Sequence, residues 1–260
     1  MNQSRAEPYR VAVYAAPGSG KDPYGARLLE SAEAWLGRAA DGRPMRPATP
    51  RGWNRETIDA LTVDARRYGF HGTLKAPFRL PQDRSLADLD EAVARFAAGH
   101  ADVLIPRLAL TRLGSFYALT PGVAATPLHQ LADEVVTGLE EFRAPLSPEE
   151  LARRRPERLS HRQRELLTAW GYPYVLDEFR FHLTVTDSIP DDRAAEVGSV
   201  LRDWFAESLD RDIAVDVLAV FVESQPGAPF ELHGTHPLRT HPLEQNSRRT
   251  DTRLGAVRAG

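Results

Sequence analysis

Two short segments of the chain alternate between apolar and polar side chains, which is the two-residue period of a β-strand with one buried face. They read FHGTL at residues 70–74 and FHLTV at residues 181–185. In each segment a histidine and a threonine occupy the polar positions, so they share one face of the strand. We therefore predict two strands, one carrying His71 and Thr73 and the other carrying His182 and Thr184.

The segments that follow these two strands repeat one order of elements. In each half of the chain a capped helix comes first, then an extended stretch, then a hairpin with a turn and an aromatic residue after it. The matching features are Ser85 to Phe96, Val103 to Leu110, Gly114 and Phe116 in the first half, and Asp191 to Phe205, Ile213 to Val222, Pro226-Gly227 and Phe230 in the second. Such a recurrence predicts two copies of one structural unit.

Helical periodicity and capping residues place the other elements. The predictions are a strand at 10–15, a helix opened by Asp22-Pro23, a loop at 37–53, a short helix capped by Asn54, and a helix opened by Thr126-Pro127. Residues 144–171 have no counterpart in the first half and are predicted to be a helical insertion, with a capping box at Ser160. The tail from about residue 241 to 260 has little apolar content, so we expect it to be disordered.

Composition narrows the possible functions. The chain has 260 residues, a net charge of −3 and no cysteine. Disulfides, thiolate nucleophiles and zinc–thiolate sites are therefore excluded, and the bulk charge does not indicate a long polyanion as partner. The first ten residues lack the apolar core of a signal peptide, and no apolar run is long enough to cross a bilayer. We expect a cytoplasmic protein with no membrane partner.

The His-x-Thr pattern has little weight by itself, since strand histidines are more often structural than catalytic and threonine is a good strand residue. A third copy, His233 to Thr235, lacks the alternation and is predicted to be a late edge strand or turn. The first two copies are set apart by their matched contexts. Side by side, the two strands would present two imidazoles to one spot, as acid–base chemistry on a phosphate ester requires.

If the two-residue alternation continues along both strands, positively charged side chains lie on the same faces as the histidines. The alternation places Lys75 beside His71, and Arg180 beside His182, with Arg67 joining them if the first strand begins early enough. Such cations would hold a phosphorylated ligand, although Lys75 and Arg180 could equally extend into solvent at a strand end. Strict alternation places the remaining apolar and aromatic positions on the opposite face: Tyr68, Phe70, Leu74, Phe179, Phe181, Leu183 and Val185.

Two further features belong to the region of the insertion. The segment 170–174, which includes Tyr172, could cover the mouth of a cleft, although core packing is the default for aromatic rings. The run Arg153 to Arg155 favours a solvated helical face over a contact with substrate. Tyr68 and Tyr172 complete the set of candidate substrate-binding residues, with Lys75, Arg180 and Arg67.

The paired strands resemble the His-x-Thr/Ser signatures of the 2H phosphoesterase superfamily, which includes bacterial 2′–5′ RNA ligases and cyclic phosphodiesterases. Longer blocks are similar to the DUF1045 proteins encoded in phosphonate-utilisation operons. These blocks are RYGFHGTLKAPF at 67–78, LGSF at 113–116, WGYPYV at 170–175 and FRFHLT at 179–184. The resemblance extends from about Tyr9 to Leu238.

The resemblance implies an α+β fold with two pseudo-symmetric lobes, about 9–125 and 126–240, each with an antiparallel sheet, and a cleft between them. It also implies a phosphodiesterase that needs no metal or cofactor. His71 and His182 would be the general base and general acid, in an order left open, and Thr73 and Thr184 would bind the non-bridging oxygens. The operon context suggests a small phosphorylated sugar ester as substrate, for example a ribosyl cyclic phosphate.

Two other functions remain open at this point. One is an enzyme that processes 2′,3′-cyclic or 2′–5′ RNA ends, which the near-neutral charge disfavours only mildly. The other is a non-catalytic protein that binds a phosphorylated metabolite in the same cleft, although binding alone does not need a matched acid and base. A metal hydrolase is disfavoured because no His-Glu-x-x-His or clustered Asp/His spacing occurs. The oligomeric state is not predicted.

Overall fold

The computed structural model of the protein describes residues 7–45 and 47–240. Its α-helices are α1 (Pro23–Leu36), α2 (Arg55–Ala60), α3 (Val63–Tyr68), α4 (Leu86–Gly99), α5 (Thr126–Gly138), α6 (Pro148–Arg153), α7 (His161–Trp170) and α8 (Asp191–Trp204). Its strands are β1 (Arg10–Ala15), β2 (Gly72–Phe78), β3 (Val103–Ile105), β4 (Ala109–Leu113), β5 (Phe116–Thr120), β6 (Leu183–Thr184), β7 (Ile213–Val215), β8 (Val217–Glu223) and β9 (Phe230–Pro237).

Strands in this part of the chain pair antiparallel into one large sheet of order β4-β5-β6-β2-β1-β8-β9, and β3 pairs with β7 in a small second sheet. The large sheet has two groups of strands, β4-β5-β6 and β2-β1-β8-β9. They are joined at β2 and β6 by a single register pair, Gly72 opposite Leu183. Helices and an antiparallel sheet confirm the α+β class.

The two halves of the chain exchange their hairpins in this sheet. Hairpin β4-β5 from the first half pairs with β6 from the second, and hairpin β8-β9 from the second half pairs with β1 from the first. A division of the chain near residue 125 therefore does not divide the sheet. The exchange leaves the two histidine strands as neighbours at the centre of the sheet.

Strand β1 separates the core from the opposite face of the sheet. Val11, Val13 and Ala15 pack into the large apolar core with the buried residues of the main helices, whereas Ala12 and Tyr14 belong to a smaller cluster on the other face. All five residues are fully buried. The main helices thus cover one face of the sheet, and the other face is available for a site.

Local patterns predict most elements well. Strand β1 has the predicted bounds, and predicted caps are observed at Asp22, Asn54, Ser85 and Ser160. The insertion is helical, containing α6 and α7. The predicted disordered tail lies outside the described residues.

Three local predictions need correction. Residues 63–68 form helix α3, so the first histidine strand does not extend back to Arg67. Strand β6 contains only Leu183–Thr184, a shorter segment than the alternation indicates. The predicted strand 103–110 is interrupted at Arg107, whose φ of 48° is left-handed and incompatible with a continuous strand.

No helix in the described ranges has both the length and the apolar character needed to span a bilayer.

Substituting Gly72→Ala tests the junction between β2 and β6. A Cβ atom at Gly72 would lie 2.5 Å from ring atoms of Phe181, a contact that forces a buried ring to shift. We expect the free energy of unfolding in urea to fall by about 1–3 kcal/mol, the usual cost of overpacking. The control is Gly99→Ala at the exposed end of α4, where nothing lies within 4 Å of the added atom. An equal effect of both substitutions would contradict a tightly packed junction.

Candidate active site

A cleft of about 710 Å³ opens on the face of the sheet opposite the main helices. Residues from distant parts of the chain line it, namely β1, the end of α3, β2, β6, the insertion and the turn at 226–227. His71, Thr73 and Thr184 are among them. His182 is not one of the lining residues, but its ring centroid is 5.9 Å from that of Phe116, which lines the cleft, and it lies close enough to His71 to lower the pKa of that ring.

The register of β2 and β6 brings the two motifs together. Because Gly72 is opposite Leu183 in an antiparallel pair, His71 is opposite Thr184, and Thr73 is opposite His182, on one shared face. Directly opposite residues have Cβ atoms roughly 4.5–5.5 Å apart, and diagonal neighbours such as the two histidines are roughly 7–8 Å apart. The two rings are also close enough for His182 to lower the pKa of His71.

Both histidines have the same backbone hydrogen bond. Nδ1 of His71 donates to the carbonyl oxygen of Gly69 at 2.9 Å, and Nδ1 of His182 donates to that of Arg180 at 2.8 Å. A carbonyl oxygen only accepts, so Nδ1 of each ring carries a proton, and Nε2 is the nitrogen left to exchange a proton with a ligand. Nε2 of His71 is 3.1 Å from the Thr73 hydroxyl. The chain therefore orients both imidazoles in the same way.

Gly69 makes the first of these hydrogen bonds possible. It ends α3 with φ 77° and ψ 176°, a conformation that a residue with a side chain adopts only under strain. The carboxylate of Asp187, just after β6, accepts from the backbone N–H groups of Asp64 and Ala65 at 2.9 Å each and so holds the start of α3. The end of α3 is thereby held against both histidine strands.

The surroundings of His71 keep its ring neutral. Burial lowers its pKa to about 4, the hydrogen bond to Gly69 opposes this, and nearby His182 adds to the lowering. The ring also stacks on Tyr14, with centroids 3.7 Å apart and planes at 21°. His71 is therefore a proton acceptor, and not a cation, near neutral pH.

Two arginines and one buried glutamate form a cationic wall. Glu223 is fully buried and binds both Arg10 and Arg67, with an N–O distance of 2.5 Å in each ion pair. The backbone N–H of Gly227 also donates to it. Both arginines line the cleft, and one carboxylate cannot neutralise two guanidinium groups. This wall has a net positive charge directed at the cleft.

The insertion supplies a second cationic wall. Arg153 and Arg154 line the cleft, and the Arg154 guanidinium lies 4.8 Å from the centre of the Tyr172 ring. Tyr172 lines the cleft as well and also packs against the small apolar cluster of Val136, Leu166 and Val175. The sequence favoured a solvated face for this run, and Arg153 is indeed exposed and Arg154 half-buried, while both also line the cleft. The signal was their position in an insertion next to the aromatic segment.

The other predicted cations are placed differently. Arg67 and Tyr68 line the cleft, but from helix α3 and not from a strand. Arg180 is exposed and contributes its carbonyl oxygen to His182. Lys75 does not lie beside His71, because its Nζ binds Glu140 at 2.8 Å and the carbonyl of Val136 at 2.9 Å in the interior.

A β-bulge explains the position of Lys75. Tyr14 is opposite Thr73, but the preceding residue Val13 is opposite Lys75, so β2 has one extra residue at this point. One extra residue inverts which positions face the cleft. Lys75 therefore shares the core face with Val13.

Sequence reasoning missed Arg10 and Tyr14. Both belong to β1, which shows an almost entirely apolar pattern and no motif, so only its place next to β2 reveals them. Within the described residues, no group of three or more histidine, aspartate or glutamate side chains is arranged to hold a metal ion.

The titration of His71 is a direct check of this geometry. We expect its ring protons in NMR spectra to titrate with a midpoint near pH 4, where the ordinary value is 6.5. The unfolded state binds this proton more tightly, so His71 should reduce stability as the pH falls from about 6.5 toward 4. The variant His71→Gln should lose that part of the pH dependence. A midpoint above pH 6 would contradict the lowered pKa of this half-buried ring.

The chain is similar to one protein family and to curated relatives. The family model described as "Protein of unknown function (DUF1045)" matches residues 73–231. Two curated relatives are named ribose 1,5-bisphosphate phosphokinase PhnN. The protein of Janthinobacterium sp. (strain Marseille) is 36% identical over 206 residues, covering 77% of this chain and 46% of the relative. That of Laribacter hongkongensis (strain HLHK9) is 35% identical over 231 residues, covering 86% and 50%.

The chain thus spans about half the length of the curated relatives it matches. Among solved structures, E. coli LigT complexed with phosphate has a TM-score of 0.40 and 12% identity, with 90% of this chain and 99% of that chain covered. LigT complexed with ATP has a TM-score of 0.38 and 12% identity at the same coverage. The match of the family model to more than half of the chain shows that this protein belongs to the DUF1045 family.

Proposed function

We propose that the protein is a metal-independent phosphodiesterase of the 2H type, which hydrolyses a cyclic phosphate ester of a small phosphorylated sugar in phosphonate metabolism. The observation that carries this proposal is the pair of histidines next to the contact of β2 with β6, each with Nδ1 bonded to a backbone carbonyl so that Nε2 is the nitrogen left for proton transfer. Binding alone has no use for this duplication.

The geometry supports a two-histidine mechanism. One imidazole takes a proton from water as the water oxygen bonds to phosphorus, and the other, as imidazolium, protonates the ester oxygen as its bond to phosphorus breaks. The products are a phosphate monoester and a free hydroxyl group. We assign the base to His71, because its lowered pKa keeps it unprotonated, and the acid to His182.

The other groups of the cleft would stabilise the charge on phosphorus. The hydroxyl groups of Thr73 and Thr184 are on the same face as the imidazoles and would donate hydrogen bonds to the non-bridging oxygens. The cationic wall of Arg10 and Arg67 would balance the developing negative charge, since hydrogen bonds from charged donors are the stronger ones.

The names of the relatives support a ribosyl substrate. Ribose 1,5-bisphosphate occurs in the printed name of both. Opening a 1,2-cyclic phosphate on ribose 5-phosphate, with the 2-oxygen as leaving group, yields this compound. A substrate of that kind has a second phosphate, and Arg153 and Arg154 offer a second cationic wall for it.

The name of the relatives also includes a kinase activity. The loop of this chain that most resembles a phosphate-binding loop does not support that activity. Residues 17–22, between β1 and α1, read PGSGKD. The backbone N–H of Lys21 donates to Asp216 at 2.6 Å, and Asp22 accepts from the N–H of Tyr24 and of Ala214. Carboxylates occupy donors that a phosphate would need, so the loop does not favour nucleotide binding.

Replacing the histidines tests the proposal. His71→Ala and His182→Ala should each lower turnover of a ribosyl cyclic phosphate by roughly 10²- to 10⁴-fold, the usual share of one proton-transfer group. The matched control is His233→Ala, which alters the third His-x-Thr copy on the exposed edge strand β9 and should leave turnover unchanged. Near-normal turnover by the two folded cleft variants would refute the assignment.

The same assay separates the sugar substrate from RNA. If an oligonucleotide with a 2′,3′-cyclic end is hydrolysed faster than the ribosyl cyclic phosphate, the protein is an RNA-end processing enzyme. If the cleft variants bind the sugar phosphate normally and the wild type turns over neither substrate, the protein is a binding protein.

The pH dependence gives an independent check. We expect a bell-shaped profile of kcat/KM, because the base is lost by protonation on the acidic side and the acid is lost by deprotonation on the basic side. Prior treatment with a chelator should leave the rate unchanged. Loss of activity that is restored by adding a divalent cation would place the enzyme in another mechanistic class.

A further inference from the structure

Tyr14 is a fully buried residue whose hydroxyl group has no hydrogen-bond partner within the described residues. A buried hydroxyl has lost its contact with water, and the loss is unfavourable unless another polar group replaces it. Phenylalanine would fill the same space without that cost. The presence of a hydroxyl group at this buried position therefore needs an explanation.

The surroundings of Tyr14 place this hydroxyl at the candidate active site. Tyr14 lines the cleft, its ring stacks on His71 with centroids 3.7 Å apart, and it is directly opposite Thr73 in the pairing of β1 and β2. On the same face of β1, Ala12 is too small to reach the cleft, and Arg10 is held in the ion pair with Glu223. Tyr14 contacts the imidazole ring from this face.

The chemistry of the group favours donation. Burial raises the pKa of Tyr14 well above its usual value, so the hydroxyl stays protonated across the working range of an enzyme. A neutral phenol next to a neutral imidazole has an O–H available for an anionic oxygen.

We propose that Tyr14 is a further substrate-contacting residue, whose hydroxyl donates a hydrogen bond to an oxygen of the phosphate group held at His71. This inference rests on the proposed function and extends it by a third hydroxyl donor, beside Thr73 and Thr184. The unpaired hydroxyl of the free protein then receives its partner when the phosphate binds.

The test compares Tyr14→Phe with Tyr117→Phe. Tyr117 is also a buried tyrosine, but its hydroxyl already donates to the carbonyl oxygen of Ala194 at 2.7 Å and does not line the cleft. Tyr14→Phe should keep the stacking on His71 and lower kcat/KM for the ribosyl cyclic phosphate by about 10- to 100-fold, the value of a hydrogen bond to a charged group. Its Tm should be unchanged or higher. Tyr117→Phe should show the opposite result, with a lower Tm and normal kcat/KM.

A binding measurement makes the test independent of turnover. Calorimetric titration with inorganic phosphate should give a Kd for Tyr14→Phe that is at least several times that of the wild type and of Tyr117→Phe. Wild-type kcat/KM and wild-type phosphate affinity in Tyr14→Phe would overturn the inference. A Tm loss as large as that of Tyr117→Phe would overturn it too, since the hydroxyl would then have a partner in the free protein.

The failure of this inference is distinguishable from the failure of the proposed function. If the His71 and His182 variants are inactive while Tyr14→Phe is normal in both assays, only the role of Tyr14 is wrong. If the histidine variants remain active, the proposed function is wrong, and phosphate affinity still decides whether Tyr14 contacts the anion.

Discussion

The site depends on one short antiparallel contact, the pairing of β2 with β6 at Gly72 and Leu183. This contact sets the spacing of the two histidines and puts both threonines on the same face. It also joins the two groups of strands into one sheet. Glycine is required at this point because the Phe181 ring occupies the space that a Cβ atom would need. The same residue pair therefore sets the packing on the core side of the sheet and the arrangement of the histidines on the cleft side.

The duplication of the chain explains why the site is nearly symmetric. Each half supplies a histidine strand, a 14-residue helix, a short strand and a hairpin, and the short strands β3 and β7 pair with each other. Because the halves exchange hairpins, neither histidine strand lies at a sheet edge. Each imidazole is oriented by the carbonyl oxygen two residues earlier, so the same local geometry is built twice.

Symmetry ends at the walls of the cleft. On one side, Glu223 holds Arg10 and Arg67, and on the other the insertion brings Arg154 over Tyr172. Buried polar groups such as Glu223 and the Tyr14 hydroxyl add little to stability, since desolvation offsets much of what they gain. Their concentration around His71 is typical of a site in which polar groups are held in advance for an anionic ligand. The two ends of the cleft thus differ in shape, although both carry arginines.

Short-range sequence patterns predict the strands that carry the His and Thr pairs, the capped helices, the duplication and the helical nature of the insertion. These features depend on periods and caps that extend over a few neighbouring residues, so local physics is enough to predict them. Only the tertiary structure decided which strands are neighbours, and with it the exchange of hairpins and the contribution of Arg10 and Tyr14 from an apolar strand. It also decided that Lys75 belongs to the core, because one extra residue in β2 inverts the faces of the strand, and that Arg153 and Arg154 reach the cleft. Alternation along a strand specifies that two faces exist, and the partner strand determines which of them becomes the site.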